Sequence, residues 1–214
     1  TLSNDFWTGW QYNLINGYYY LSNDVPKSYI WINFIYKSPE YFLISYLFFL
    51  LIFLRSREFF NKKIKFFNYK LLFVLLIIIY PHLTLLLIPY PIYDGMRLFL
   101  WSIPYFCIIP AITIYYLIEN FNFISSKICL VTILFLSVFF LYKFIIITPY
   151  QYTYLNILNG PIENRHQKFE NDYWGSSIKE LVEKTNFNVE ETIKITTCGL
   201  NPKIPKNYFK KRGY

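Results

Sequence analysis

Charged side chains are scarce in this sequence: Asp, Glu, Lys and Arg make up 16% of its 214 residues, while 55% are hydrophobic. An ordinary soluble domain carries about a quarter charged residues, so the scarcity points away from one and toward a chain whose apolar surface meets lipid. Cysteine is rarer still. Cys107, Cys129 and Cys198 form no C-x-x-C pair, and the first two lie in apolar runs where a thiol behaves as a small hydrophobe. Histidine is limited to His82 and His166, neither with a second His or Cys at ligand spacing, so no metal site and no cofactor are expected. The segment from Thr1 to Lys37 lacks the basic and apolar regions of a signal peptide, and the chain opens without an initiator Met, which leads us to expect a fragment of a larger helical bundle. A Ser-His-Asp order, a glycine-rich phosphate cradle and a carboxylate pair at glycosidase spacing are not legible either.

What is present in quantity is apolar, and it is clustered. Four apolar stretches, 39–54, 71–89, 98–118 and 128–147, alternate with polar ones. The last three are each about 20 residues, enough to cross a hydrocarbon layer of ~30 Å at ~1.5 Å per residue. The first is shorter, but Pro39 suits a helix start and Tyr29, Trp31 and Tyr36 suit a membrane interface. The expected class is all-α membrane, with about four transmembrane helices, outer-face loops and a small α/β appendage at the C-terminus. Three divisions follow: an outer-face segment 1–38, a transmembrane region 39–147 and an outer-face tail 148–214.

The net charge of +8 is unevenly spread. Arg55, Arg57, Lys62, Lys63, Lys65 and Lys70 crowd the connection between the first two spans against the single acid Glu58, which by the positive-inside rule makes that connection cytoplasmic. The short connection from Glu119 to Lys127 then lies inside as well. The N-terminal segment, the loop around Asp94 and the tail face outward, in a multi-pass protein of the plasma (inner) membrane. Basic residues so placed mark loops and helix ends, so membrane lipid is an expected partner and nucleic acid is not.

In the tail, Asn159-Gly160-Pro161 and Asn201-Pro202 are turn signals. The segment from Ser176 to Lys184 reads as a helix with Glu180 and Lys184 at i,i+4, and Thr192 to Cys198 alternates like a strand. The most informative cluster is Pro91-Ile92-Tyr93-Asp94-Gly95-Met96-Arg97, at the outer end of the third span. Asp94 and Arg97, three residues apart, would share the first turn of that helix, with two readings open. Asp94 can be the helix N-cap with Arg97 snorkelling or pairing with it. Alternatively, Arg97 can hold the phosphate of a lipid-linked substrate, because a guanidinium matches phosphate oxygens in a bidentate way. His82, just after Pro81 within the second span, is either a site-lining ionisable group or a neutral imidazole filling a carbonyl freed by the proline. Tyr150, Tyr152, Asp172 and Trp174 line the start of the tail, where aromatics also form interfacial belts. Lys143, one turn below the outer end of the fourth span, is expected to snorkel.

Three ordered stretches resemble the C-terminal half of the multi-pass C-type glycosyltransferases, the superfamily of protein O-mannosyltransferases and bacterial aminoarabinose transferases. The first runs from Asn16-Gly17-Tyr18-Tyr19 through Asp24-Val25-Pro26-Lys27-Ser28-Tyr29 to Lys37-Ser38-Pro39. The second is Tyr93-Asp94-Gly95-Met96-Arg97-Leu98-Phe99-Leu100 with Pro104, Leu98 standing where the family commonly has His. The third is Pro149-Tyr150-Gln151-Tyr152, Tyr154 and Asn156, then Asp172-Tyr173-Trp174-Gly175 and Ser177. The resemblance implies a transferase moving a sugar from a polyprenyl-phosphate-linked donor to an acceptor at the outer membrane face. Arg97 would contact the donor phosphate with Asp94 orienting it, and Tyr93 would sit beside them. The catalytic acid would belong to a first outer loop that this chain does not contain. The rival expectation is a non-catalytic module of a polysaccharide exporter or lipid-linked-sugar flippase.

Overall fold

The computed structural model describes residues 12–88, 91–92, 95–170, 175–186 and 203–213. They are mostly helical and fall into two compact units, one ending at Glu170 and one beginning at Asn171.

The first unit opens with a hairpin that hydropathy alone did not announce. Strands β1 (Tyr12–Ile15) and β2 (Tyr18–Leu21) pair antiparallel, with Tyr12 opposite Leu21 and Ile15 opposite Tyr18. Their two-residue turn, Asn16-Gly17, has φ of 48° and 91°. Positive φ at both central residues matches the right-handed twist of the strands, and Asn-Gly is the pair that tolerates it best. Helix α1 (Tyr29–Lys37) follows and stops at Ser38, which Pro39 forces into an extended conformation (ψ 147°).

Among the described residues, three helical segments are long and apolar enough to cross a membrane: α3 (Phe67–Leu87), the continuous helix Arg97–Glu119, and α5 (Ile124–Ile146). The middle one is composite. A 3-10 segment, Arg97–Ser102, feeds α4 (Ile103–Glu119), whose early Pro104 needs no hydrogen-bond partner. Helix α2 (Glu40–Lys63) is as long, but only its first two-thirds is apolar. The basic connection read from the sequence as 55–70 is therefore largely helical. The last turns of α2 bend at Ser56 (φ −131°), a tight turn through Phe66 (φ 59°) reverses the chain, and α3 begins at Phe67. The bend has a packing reason: Phe60 is fully buried, with its ring stacked on Phe67 at 4.8 Å, and the Tyr116 hydroxyl donates to Ser56 Oγ at 2.9 Å.

Helices α2, α3 and α4 share a core of Phe49, Phe60, Phe67, Leu71, Val74, Ile78, Phe106 and Ile109. Where α2 crosses α4 the side chains are small and fully buried, and Thr113 Oγ1 donates to the carbonyls of Ile109 (2.9 Å) and Ser45 (3.1 Å). Small hydroxylated residues let backbones approach closely while still satisfying their own polar atoms, as helix crossings in lipid require. Helix α5 packs on α2 and α4, yet only 6% of its apolar window is buried.

A second core lies where the hairpin and α1 meet the Leu85 end of α3. Ile15, Tyr29, Ile30, Leu85, Ile92, Phe99, Leu155 and Phe169 form it. Residues 151–170 thus belong to the first unit, and the division of the chain falls after Glu170 rather than at the end of the last apolar run. In the second unit α6 (Ile178–Lys184) appears where the i,i+4 spacing places a helix, and α7 (Lys203–Lys211) packs against it. The strand-like run from Thr192 to Cys198 and the Asn201-Pro202 turn lie outside the described residues.

Candidate functional site

The turn preceding Arg97 is held from two sides. From the hairpin, buried Asn13 donates its amide to the Ile92 carbonyl at 2.7 Å and to Ser22 Oγ at 3.1 Å, while the Ile92 N–H donates to the Ser22 carbonyl. From α1, residues Tyr29, Asn33 and Lys37 recur at every fourth position and so share one face. The Tyr29 hydroxyl donates to the Gly95 carbonyl at 3.1 Å, and the Asn33 amide donates to the Tyr29 carbonyl at 2.9 Å. Gly95 has φ +63°, and a Cβ placed there would lie 2.8 Å from Lys37 Nζ and 3.3 Å from Asn33 Oδ1. The backbone angle therefore favours glycine, and any side chain placed there would displace the Lys37 ammonium. Asn13, Tyr29, Asn33, Lys37, Gly95 and Glu170 surround a cavity of about 20 Å³, room for about one water.

Arg97 stands exposed as the first residue of the 3-10 segment. The position that caps this segment is Met96, so the third span opens as a 3-10 turn at Arg97. Lys37 Nζ also lies 5.3 Å from the centre of the Phe169 ring, which joins α1 to the returning chain.

A polar network ties the ends of α1, α2 and α5 together. Asn156, fully buried, donates its amide to the carbonyls of Ile35 (2.5 Å) and Ser38 (2.8 Å) and accepts from the Leu158 N–H (3.1 Å). Asn159 donates to the Tyr36 carbonyl at 2.8 Å. The two asparagines thus satisfy the free carbonyls at the end of α1, the task usually left to a glycine-based cap. Glu40, at the start of α2, accepts from the Tyr154 hydroxyl (2.6 Å), the Ile157 N–H (3.0 Å) and Lys143 Nζ (3.3 Å). Burial, followed by the hydrogen bond to Glu40, holds the Tyr154 phenol well above its usual range, so it stays protonated and keeps donating. Lys143 does not simply snorkel. It is mostly buried against Glu40, and its ammonium sits 4.2 Å from the Phe139 ring centre.

His82 lies on α3 with its ring edge to Trp31 at 5.8 Å, and its Nδ1 is buried with no hydrogen-bond partner among the described residues. A proline-freed carbonyl is therefore not what Nδ1 meets. Tyr150 is half-buried and Tyr152 exposed, next to and within the 3-10 turn Gln151–Thr153 that follows α5. Tyr93, Asp94, Asp172 and Trp174 lie outside the described residues. Of the site residues expected from sequence, then, Arg97 and His82 are placed on the helices that meet the second core, and Tyr150 and Tyr152 on the segment that Asn156 anchors. Sequence reasoning missed Asn13, Asn33, Lys37 and Glu40. The signal for two of them was spacing: Asn33 and Lys37 follow Tyr29 at every fourth position in a polar stripe on an otherwise apolar helix.

No protein family, curated protein or solved structure matches this chain.

Proposed function

We propose that this chain is the C-terminal part of a C-type membrane glycosyltransferase that takes a sugar from a polyprenyl-phosphate-linked donor. The observation that carries the reading is a convergence. The three stretches that resemble that superfamily are separated along the sequence, yet all meet at α1: Tyr29, Asn33 and Lys37 from the first lie against Gly95 from the second, two residues before Arg97, and Asn156 from the third holds the carbonyls of Ile35 and Ser38 at the end of the same helix. Their joint effect is to fix the backbone from which Arg97 projects and to set the Lys37 ammonium against it. Arg97 beside this turn, with the Lys37 ammonium of α1 set against the turn at Gly95, suits a phosphate carried on a lipid chain. In this reading Arg97 contacts the phosphate, Asp94 orients it, and α2 is a fourth span through its apolar part. The Arg55–Lys70 side is cytoplasmic and the cluster faces outward. Sugar, acceptor and the acid that activates it belong to the rest of the enzyme.

The test is ligand-induced stabilisation of the detergent-solubilised protein by a long-chain polyprenyl phosphate, with the matching uncharged polyprenol as control. At a hundredfold excess over Kd, a ligand that binds only the folded state stabilises it by about 2.7 kcal/mol. The expected result is an upward shift in Tm with the phosphate alone, lost in Arg97→Ala while the ligand-free Tm is unchanged. Equal shifts with phosphate and polyprenol, or an undiminished shift in Arg97→Ala, would overturn the assignment.

A further inference from the structure

Helix α7 divides its residues by charge. At about 100° per residue, Lys203, Lys206, Lys210 and Lys211 fall on one side with Asn207, and the segment 203–213 contains no acid. Pro205, Tyr208 and Phe209 fall on the other side, where Pro205 is buried and the two aromatics half-buried. That side is occupied by α6, whose Ile178 and Val182 are buried. Arg212 belongs to the packing: its guanidinium donates to the carbonyls of Val182 and Thr185 at the end of α6. On α6 itself, Lys179 and Lys184 sit beside Glu183 and Glu180 one turn away, so those acids are already balanced. The apolar side of α7 is thus used and its anchoring arginine is used, while Lys206, Lys210 and Lys211 remain exposed. Ile204, 38% exposed, borders the same face beside Lys211.

We infer that this lysine face of α7 docks on the anionic headgroups of the bilayer that the chain's own apolar helices cross. Two facts select lipid over a soluble polyanion. The second unit is covalently tied to three membrane-length helices, and the chain leaves the first unit at Glu170, only a few residues before α6 begins at Ile178. A basic face so tethered meets the surface at high effective concentration. A lysine face with an apolar residue at its edge is also the pattern of a helix lying in the headgroup plane. An anionic surface favours each nearby lysine about fivefold, so the three exposed lysines together shift docked over undocked by about a hundredfold. The inference needs a membrane but does not rest on the transferase reading.

The test uses the full chain in lipid nanodiscs, either of phosphatidylcholine alone or of an equal mixture with phosphatidylglycerol. Lysine side chains are acetylated in a short pulse and read by mass spectrometry, with Lys179 of α6 as internal reference. In the anionic discs Lys206, Lys210 and Lys211 should react at least about tenfold more slowly at low salt, and recover in about 1 M salt, where the Debye length falls to about 3 Å. Lys206→Glu combined with Lys210→Glu should return Lys211 to its rate in neutral discs. Equal rates in the two lipids overturn the inference, whether the face is then solvated or covered by protein such as the segment carrying Glu190 and Glu191. Continued protection of Lys211 in the charge-reversed variant overturns it too.

Discussion

Replacing Asn156 by alanine tests how the end of α1 is held. Its amide reaches the carbonyls of Ile35 and Ser38, and its oxygen accepts from the Leu158 N–H, all in a residue with no exposed surface. Alanine would strand two carbonyls and one N–H. Each buried group left unsatisfied costs about 1–3 kcal/mol, and water can reach part of the site, so the loss should total about 3 kcal/mol. For a protein of this size, each kcal/mol moves Tm by about 2–4 °C, which gives a drop of about 6–12 °C. Thermal unfolding in detergent would measure it. Hydrogen exchange should show the loss concentrated in the amides of 29–40 and 154–159. Asn156→Asp, which puts an acceptor oxygen where the amide donor faces two carbonyls, should be at least as damaging as alanine although it is nearly isosteric. A Tm for Asn156→Ala within about 2 °C of the parent protein would refute the argument, because it would mean that these carbonyls find water as readily as they find the amide.

Gly95→Ala should destabilise by about 1–3 kcal/mol from backbone strain alone, and thermal unfolding should improve when Lys37 is shortened in the same chain, since the ammonium is what the new methyl meets. Glu40→Gln should cost about 1–3 kcal/mol through three weakened hydrogen bonds, and in a double-mutant cycle with Lys143→Met the two effects should fall short of additive. Because the Tyr154 phenol has its pKa raised above the unfolded value of 10.0, its contribution is fully present below pH 10 and is lost as pH climbs above that. Tyr154→Phe should therefore flatten the alkaline limb of a stability–pH curve and leave its neutral region lower. The exposed pair of Lys63 with Glu119, 2.7 Å apart, should by contrast be replaceable by alanine at either end without a measurable change in Tm.

The apolar helices were legible because a period-free hydrophobic run of about 20 residues has few alternatives. Their boundaries shifted where side chains outside the run joined the packing: Phe60 prolongs α2 past Arg55, and Arg97 starts in a 3-10 turn. The hairpin was legible in principle, since Asn16-Gly17 between short alternating segments is a strong local signal, but two four-residue strands vanish beside the spans. The polar cluster was only half legible. Arg97 stood out because a cation at the end of an apolar run is costly, whereas Asn156 and Asn159 look like ordinary loop residues until the carbonyls that they meet are known. Glu40 and Lys143 are paired across 103 positions, and no spacing rule reaches that far.

The closure made by Asn156 and Phe169 also sets an order of events during synthesis. Ile15 has its bridge partner at Phe169, and the carbonyls of Ile35 and Ser38 have their donor at Asn156. A ribosome works from the N-terminus, so the hairpin and α1 emerge and wait while α2 to α5 are made. Their lid can shut only after the last apolar helix has been released into its final surroundings. Until then Tyr29, Ile30 and the end of α1 are open to chaperones, proteases and stray partners, and a chain stopped at residue 147 would stay that way permanently. Quality control could therefore read the release of residues 151–170 at the hairpin and α1, more than a hundred positions earlier in the chain.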